Sequence, residues 1–155
     1  MLTRLAFFVG AASLLVMSVP ANAADVTTTT HAKQGVVETF VDVVPSCEGG
    51  GPRYNITTTA NTVTHRTRFA DGSLRFHVTS SGTFVASPKT DSSLPNYTGK
   101  FVQSGNFNVD DGEATGTFTF SVMGSGSDGS SFATQTVEHF NERPNGTTQE
   151  FFHCR

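Results

Sequence analysis

Residues 114–140 read ATGTFTFSVMGSGSDGSSFATQTVEHF, and this stretch decides the fold. Gly116, Phe118, Phe120 and Val122 fall on one side of an extended chain, and Thr115, Thr117, Thr119 and Ser121 fall on the other. Alternation with a period of two marks a strand with one apolar and one polar face. Threonine and phenylalanine both suit a pleated surface. The Gly/Ser run at 124–129 interrupts the alternation as a flexible connection, and residues 132–140 begin the return. The stretch predicts a hairpin with a long loop.

Working outward, the same pattern recurs at 36–44, 54–69, 73–86, 97–107, 131–140 and 147–153. The long segment 54–69 is expected to bend near Ala60 and Asn61, and Gly82 reads as a bulge or bend in its partner. Asp71-Gly72 reads as a two-residue hairpin turn, Asp110-Asp111-Gly112 and Arg143-Pro144-Asn145-Gly146 as further turns. No segment sustains a helical period. Seven strands result, with the threonine-rich residues 25–33 as an eighth. Short connections in chain order predict an all-β fold: a single antiparallel up-and-down β-barrel of 7–8 strands, in which closure removes exposed edges. A two-sheet β-sandwich is the alternative.

The chain begins MLTRLAFFVGAASLLVMSVPANAAD. A basic start at Arg4, an apolar run from Leu5 to Val19 and the small residues Ala21-Asn22-Ala23 have the layout of a secretory signal peptide. The run is shorter than the ~20 residues a bilayer requires. Residues 1–23 are therefore read as a signal peptide and 24–155 as one β-barrel domain, secreted, extracellular or held in the cell envelope. The 155 residues carry 10 Lys and Arg against 13 Asp and Glu, a formal charge of −3. A mildly acidic chain without a basic run is a poor partner for nucleic acid or anionic lipid.

Cys47 and Cys154 are the two cysteines. Export places them in an oxidising compartment, and two cysteines allow one pairing. In an up-and-down meander the strands before them run the same way, so both reach the same end of the barrel. No CxxC spacing accompanies either, and no metal site is expected.

YTGKFVQSGNF, then GEATGTFTFSVMGSGSDGS and VEHF, with the ETFVDVVPSC start and the FHCR end, resembles a group of small secreted actinobacterial proteins of unknown function. That group shares a TxTFxF…GxGSDGS core, two outlying cysteines and a signal peptide. The resemblance covers residues 36–47 and 97–155 best. More distantly, the layout is similar to the eight-stranded barrels of allene oxide cyclases and dirigent proteins. It implies a barrel that holds an apolar substrate, in some members cyclising it and in others only orienting it.

Candidate site residues follow from the strand faces. The two-residue reading of Asp71-Gly72 pairs Arg68 with Arg75 and Arg66 with His77, a basic patch on one face. It sets His65, Phe69 and Phe76 together on the other. His65 on an apolar face is a candidate proton-handling group. Glu138 is a second, since it shares its face with Phe132 and Phe140. His139 points to the opposite face from Glu138 and is expected to approach His153 across the last hairpin. Phe69, Phe76, Phe118 and Phe120 are candidate ligand-binding residues.

No nucleophile elbow, phosphate loop or HExxH motif is present. No cofactor is implied. Three readings of function follow. The first is a barrel that binds a small apolar ligand. The second is a surface interaction protein with a filled barrel. The third is a cyclase or isomerase using His65 or Glu138. The residues leave open whether the protein is an enzyme, and they do not set an oligomeric state.

Overall fold

The computed structural model describes residues 26–44, 47 and 50–155. The segment read as a signal peptide lies outside the described residues. The seven strands are β1 (Thr27–Val43), β2 (Arg53–Arg68), β3 (Leu74–Pro88), β4 (Tyr97–Asp110), β5 (Glu113–Gly126), β6 (Ser131–Glu142) and β7 (Thr148–Cys154). They form one sheet in chain order, and every neighbouring pair is antiparallel. The fold is all-β and a meander. One continuous sheet replaces the two of the sandwich alternative.

The eighth strand does not exist as a separate element. Residues 27–33 are the first part of β1, joined to its second part across a bulge between Lys33 and Val36. Gly35 sits there at φ 62°, and its N–H donates to Asn61 Oδ1 at 2.9 Å. The irregularity expected in β2 at Ala60 and Asn61 thus lies in the partner strand opposite them. Gly82 is likewise no bulge, because it stays in register between Ala60 and Phe101.

An odd number of strands has a consequence for closure. β1 and β7 run in the same direction, so a ladder between them would be parallel and slightly weaker per residue. Among the described residues the two are not paired. The sheet nevertheless cannot be flat. Six interstrand steps of ~4.8 Å would separate β1 from β7 by ~29 Å. Yet Cys47, only four residues past Val43, is bonded to Cys154 of β7 with a Cα–Cα distance of 5.4 Å. Four residues reach ~14 Å at most, so the sheet curls and its two edges approach at this end, although β1 and β7 do not themselves come into contact.

Side chains that face into the curl form the core. Tyr54, Ile56, Phe84 and Ala86 are buried, with Val44, Tyr97, Val122 and Phe132 packed against them. Tyr97 meets both Tyr54 and Phe132 edge to face, each with ring centroids 5.6 Å apart. Phe84 of β3 reaches Phe132 of β6, three strands away, at 6.2 Å. Gly99 and Gly124 lie between them in the same row. A methyl group at Gly99 would stand 2.6 Å from the Phe84 ring, and one at Gly124 would stand 2.8 Å from Phe132. The rings therefore lie over the glycines. Gly124 and Gly126 belong to β5, so the expected long loop is a tight turn: Gly126 N–H donates to Ser130 C=O at 2.8 Å.

This is the disulfide end of the sheet. Ser127 N–H donates to Asn96 C=O at 2.8 Å, which ties the loop at 89–96 to the β5–β6 turn and closes the end further. Burial raises the Tyr54 hydroxyl above its ordinary pKa, aided by Tyr97 and by the carboxylates of Asp128 and Asp91.

Candidate functional site

The far end of the sheet carries the turns at 69–73, 111–112 and 143–147. Its inward face is set by the register of β2 and β3, and that register differs from the one read in the sequence. Phe69 N–H donates to Ser73 C=O at 2.9 Å and Gly72 N–H to Phe69 C=O at 3.1 Å, which encloses a three-residue loop. Gly72 has φ 92°, but Asp71 does not share a positive φ. The two-residue type I′ turn that Asp-Gly favours needs both. The pairing slips by one residue, and a slip of one turns every side chain of one strand relative to the other.

Arg68 consequently faces Leu74, Arg66 faces Phe76, Thr67 faces Arg75 and His65 faces His77. The basic patch of four is split. Arg66 and Arg68 lie on the inward face, Arg75 and His77 on the outward one. Phe69 also lies outward, beneath the Arg75 guanidinium at 4.9 Å. Phe76, Phe118 and Phe120 lie inward, so the structure brings together three of the four phenylalanines singled out from the sequence.

His65 is exposed on the outward face. Its Nδ1 lies 2.8 Å from Thr30 Oγ1, and its ring stacks on His77 at 6.2 Å. It belongs to an outward row of polar groups that continues through His77 Nδ1 and Asn106 Oδ1, 2.7 Å apart, and Thr117 Oγ1 and His139 Nδ1, 2.8 Å apart. His139 packs on Phe151 at 6.1 Å, while His153 pairs with Val137, so these two histidines do not meet directly. Among the described residues no group of three or more His, Cys, Asp or Glu is close enough to hold a metal ion. A depression of 320 Å³ on this outward face is lined by uncharged polar groups such as Asn106, Asn108, Thr117 and Asn141.

The inward face of the far end has a different character. Phe76, Phe107 and Phe140 are half-buried rather than sealed. Phe107 and Phe140 stand 5.9 Å apart across Gly116, where a methyl group would press on both rings. Phe101 and Phe120 meet with tilted rings, centroids 6.0 Å apart, closer to the disulfide end. Glu138 lies on this floor between Phe118 and Phe152. Of the two proton-handling candidates, it alone faces the aromatic side. At the β7 edge of the floor, Phe152 is 59% exposed.

The sequence places Arg66 in a basic patch with Arg68, Arg75 and His77. The Arg66 guanidinium lies 5.8 Å from the Phe76 ring centroid, and its Nε is buried without a hydrogen-bond partner. The turn type was the signal that would have placed it. Ser73 follows Gly72, and Asp71 Oδ1 accepts from Ser73 N–H at 2.9 Å in the three-residue loop.

Among the described residues no helix is long and apolar enough to cross a membrane. No protein-family model matches this chain, and neither a curated protein nor a solved structure matches it. The residues of the site therefore carry the functional argument by themselves.

Proposed function

We propose that the chain is a secreted binding protein that takes a small apolar ligand on the aromatic floor of a barrel-like curled sheet. The seam between β1 and β7 is the way in. The observation that carries this reading is the unsealed row of phenylalanines at the far end. Phe76, Phe107 and Phe140 are only half-buried, although each is large enough to dominate a core. Apolar surface left open inside a concavity is what a ligand covers. The Cys47–Cys154 disulfide and the signal-like residues 1–23 support export. The curl that the disulfide imposes supports the barrel.

Titration with the neutral fluorophore N-phenyl-1-naphthylamine tests this reading. Its emission is expected to rise on binding to the protein and to lose most of that rise in Phe107→Ser and Phe140→Ser. An unchanged signal in both variants, or none with the parent protein, rejects it.

A second reading has its own observation. Val85, Val102 and Met123 are 53%, 56% and 61% exposed on the outward face of the disulfide end. Such a patch favours docking of another macromolecule. Val102→Ser with Met123→Ser would abolish that interaction and leave fluorophore binding unchanged.

A further inference from the structure

The inward face of the far end is electrically polar from one edge of the floor to the other. One row of paired residues runs Arg66, Phe76, Phe107, Gly116, Phe140 and Glu150 from β2 to β7. The next row outward begins with Arg68 and reaches Glu142 over Leu74, Val109 and Ala114. The row on the other side pairs His31 with Thr64 at one edge and Phe118 with Glu138 at the other. Each of three successive rows thus carries a basic group on β1 or β2, an apolar middle, and a carboxylate on β6 or β7.

The two poles do not neutralise each other. They stand four to five interstrand steps apart, about 19–24 Å along the sheet and less across its curl. Among the described residues, Arg66, Glu138 and Glu150 make no ion pair and no side-chain hydrogen bond. The buried Nε of Arg66 lacks an acceptor. A buried donor without an acceptor is costly, and guanidinium is suited to a planar anion such as a carboxylate.

We infer that the ligand of this floor is a dipolar amphiphile, with an acidic group held at Arg66 and Arg68, an apolar body on Phe76, Phe107 and Phe140, and a basic group at the carboxylates of β6 and β7. This rests on the apolar-ligand reading above and adds the ligand's two charged ends and its orientation. Opposed charges on the two walls favour one direction of binding, because the reversed ligand meets like charge at both ends.

The test uses calorimetric titration of the disulfide-bonded protein with four twelve-carbon probes: 12-aminododecanoate, dodecanoate, dodecylammonium and neutral dodecanol. The expected order places 12-aminododecanoate tightest and dodecanol weakest. Arg66→Gln is expected to weaken 12-aminododecanoate and dodecanoate by about tenfold or more, the scale of a charge-assisted contact, and to leave dodecylammonium and dodecanol unchanged. Glu138→Gln with Glu150→Gln is expected to weaken 12-aminododecanoate and dodecylammonium and to spare the other two. Equal binding of all four probes, unaffected by these substitutions, overturns the dipolar ligand while the apolar floor stands. No binding of any probe, dodecanol included, overturns the apolar floor as well.

Discussion

At the disulfide end, Tyr54 is 1% exposed and Phe84 6%, and aromatic rings from β2, β3, β4 and β6 meet over glycines. At the far end the same residue types, Phe76, Phe107 and Phe140, line the same face and remain half-buried. The difference is not in composition along the strands. The disulfide end is drawn together by the Cys47–Cys154 bond and by the loop at 89–96, which hydrogen-bonds to the turn opposite. At the far end the three hairpin turns lie at the rim, and charged residues stand at the edges of the floor. One sheet thereby holds a core at one end and an open aromatic surface at the other.

The contrast can be tested by substitution. Phe84→Ala has the largest expected effect, a loss of about 3–5 kcal/mol for a sealed aromatic. Phe140→Ala at the far end is expected to cost about 1–2 kcal/mol, because part of its ring already faces water. Urea unfolding of both variants checks this, and equal losses would erase the distinction between the ends.

Opening the disulfide comes next in reach. It spans a sequence separation of 107 residues, and replacing both cysteines by serine is expected to cost about 2–5 kcal/mol. Hydrogen exchange should then accelerate first in β1 and β7, the strands whose ends the bond tethers. Uniform acceleration across all seven strands would show that the bond acts on the whole chain rather than on the seam.

Two glycines probe packing against backbone conformation. Gly99→Ala drives a methyl group into the Met123 backbone carbonyl oxygen as well as the Phe84 ring and is expected to cost about 3 kcal/mol or more through overpacking. Gly112→Ala meets no such crowding at under 3.4 Å but must hold φ 81°, for a cost of about 1 kcal/mol. A larger loss at Gly112 than at Gly99 would mean that the turns, and not the filled end, limit stability.

The smallest effect concerns acid. Asp71 at the far end, and Asp91 and Asp128 at the disulfide end, have pKa values lowered from 3.8 by hydrogen bonds from Ser73, Ser93 and Ser130. A lowered folded-state value contributes stability that is complete above the unfolded value and is lost as pH falls through the folded one. Below pH 3.8 the wild type should therefore lose stability more steeply than Asp128→Asn, and equal slopes in pH-dependent unfolding would remove this contribution.

Two Asp-Gly turns show what was legible and what was not. Asp111-Gly112 has φ 42° and 81° and joins β4 to β5 with Asp110 opposite Glu113, the two-residue turn that the dipeptide suggests. Asp71-Gly72 carries the same dipeptide, but Ser73 supplies an N–H to the Asp71 carboxylate and the loop takes three residues. Asp128-Gly129-Ser130 and Asn145-Gly146-Thr147 repeat this arrangement, with the side-chain oxygen accepting from the N–H two residues on at 3.0 Å in both. A serine or threonine after the glycine accompanies the longer loop in all three, and a glutamate follows the shorter one. The dipeptide marks that a turn occurs. The hydrogen bonds around it select the register, and the register decided that Arg66 faces inward and His65 outward.

Strand existence, order and direction were written in the sequence, because period-two alternation and turn residues are local signals. The pairing of Cys47 with Cys154 was also legible, from their count and the parity of the strands before them. Which face each side chain takes in the β2–β3 hairpin, the merging of residues 27–33 into β1, and the unpaired seam between β1 and β7 were decided by tertiary structure. The physical reason is one of range. Alternation is set by neighbours along the chain. Facing depends on a turn that can slip by one residue at little local cost, and closure depends on whether the first and last of an odd number of strands can pair at all.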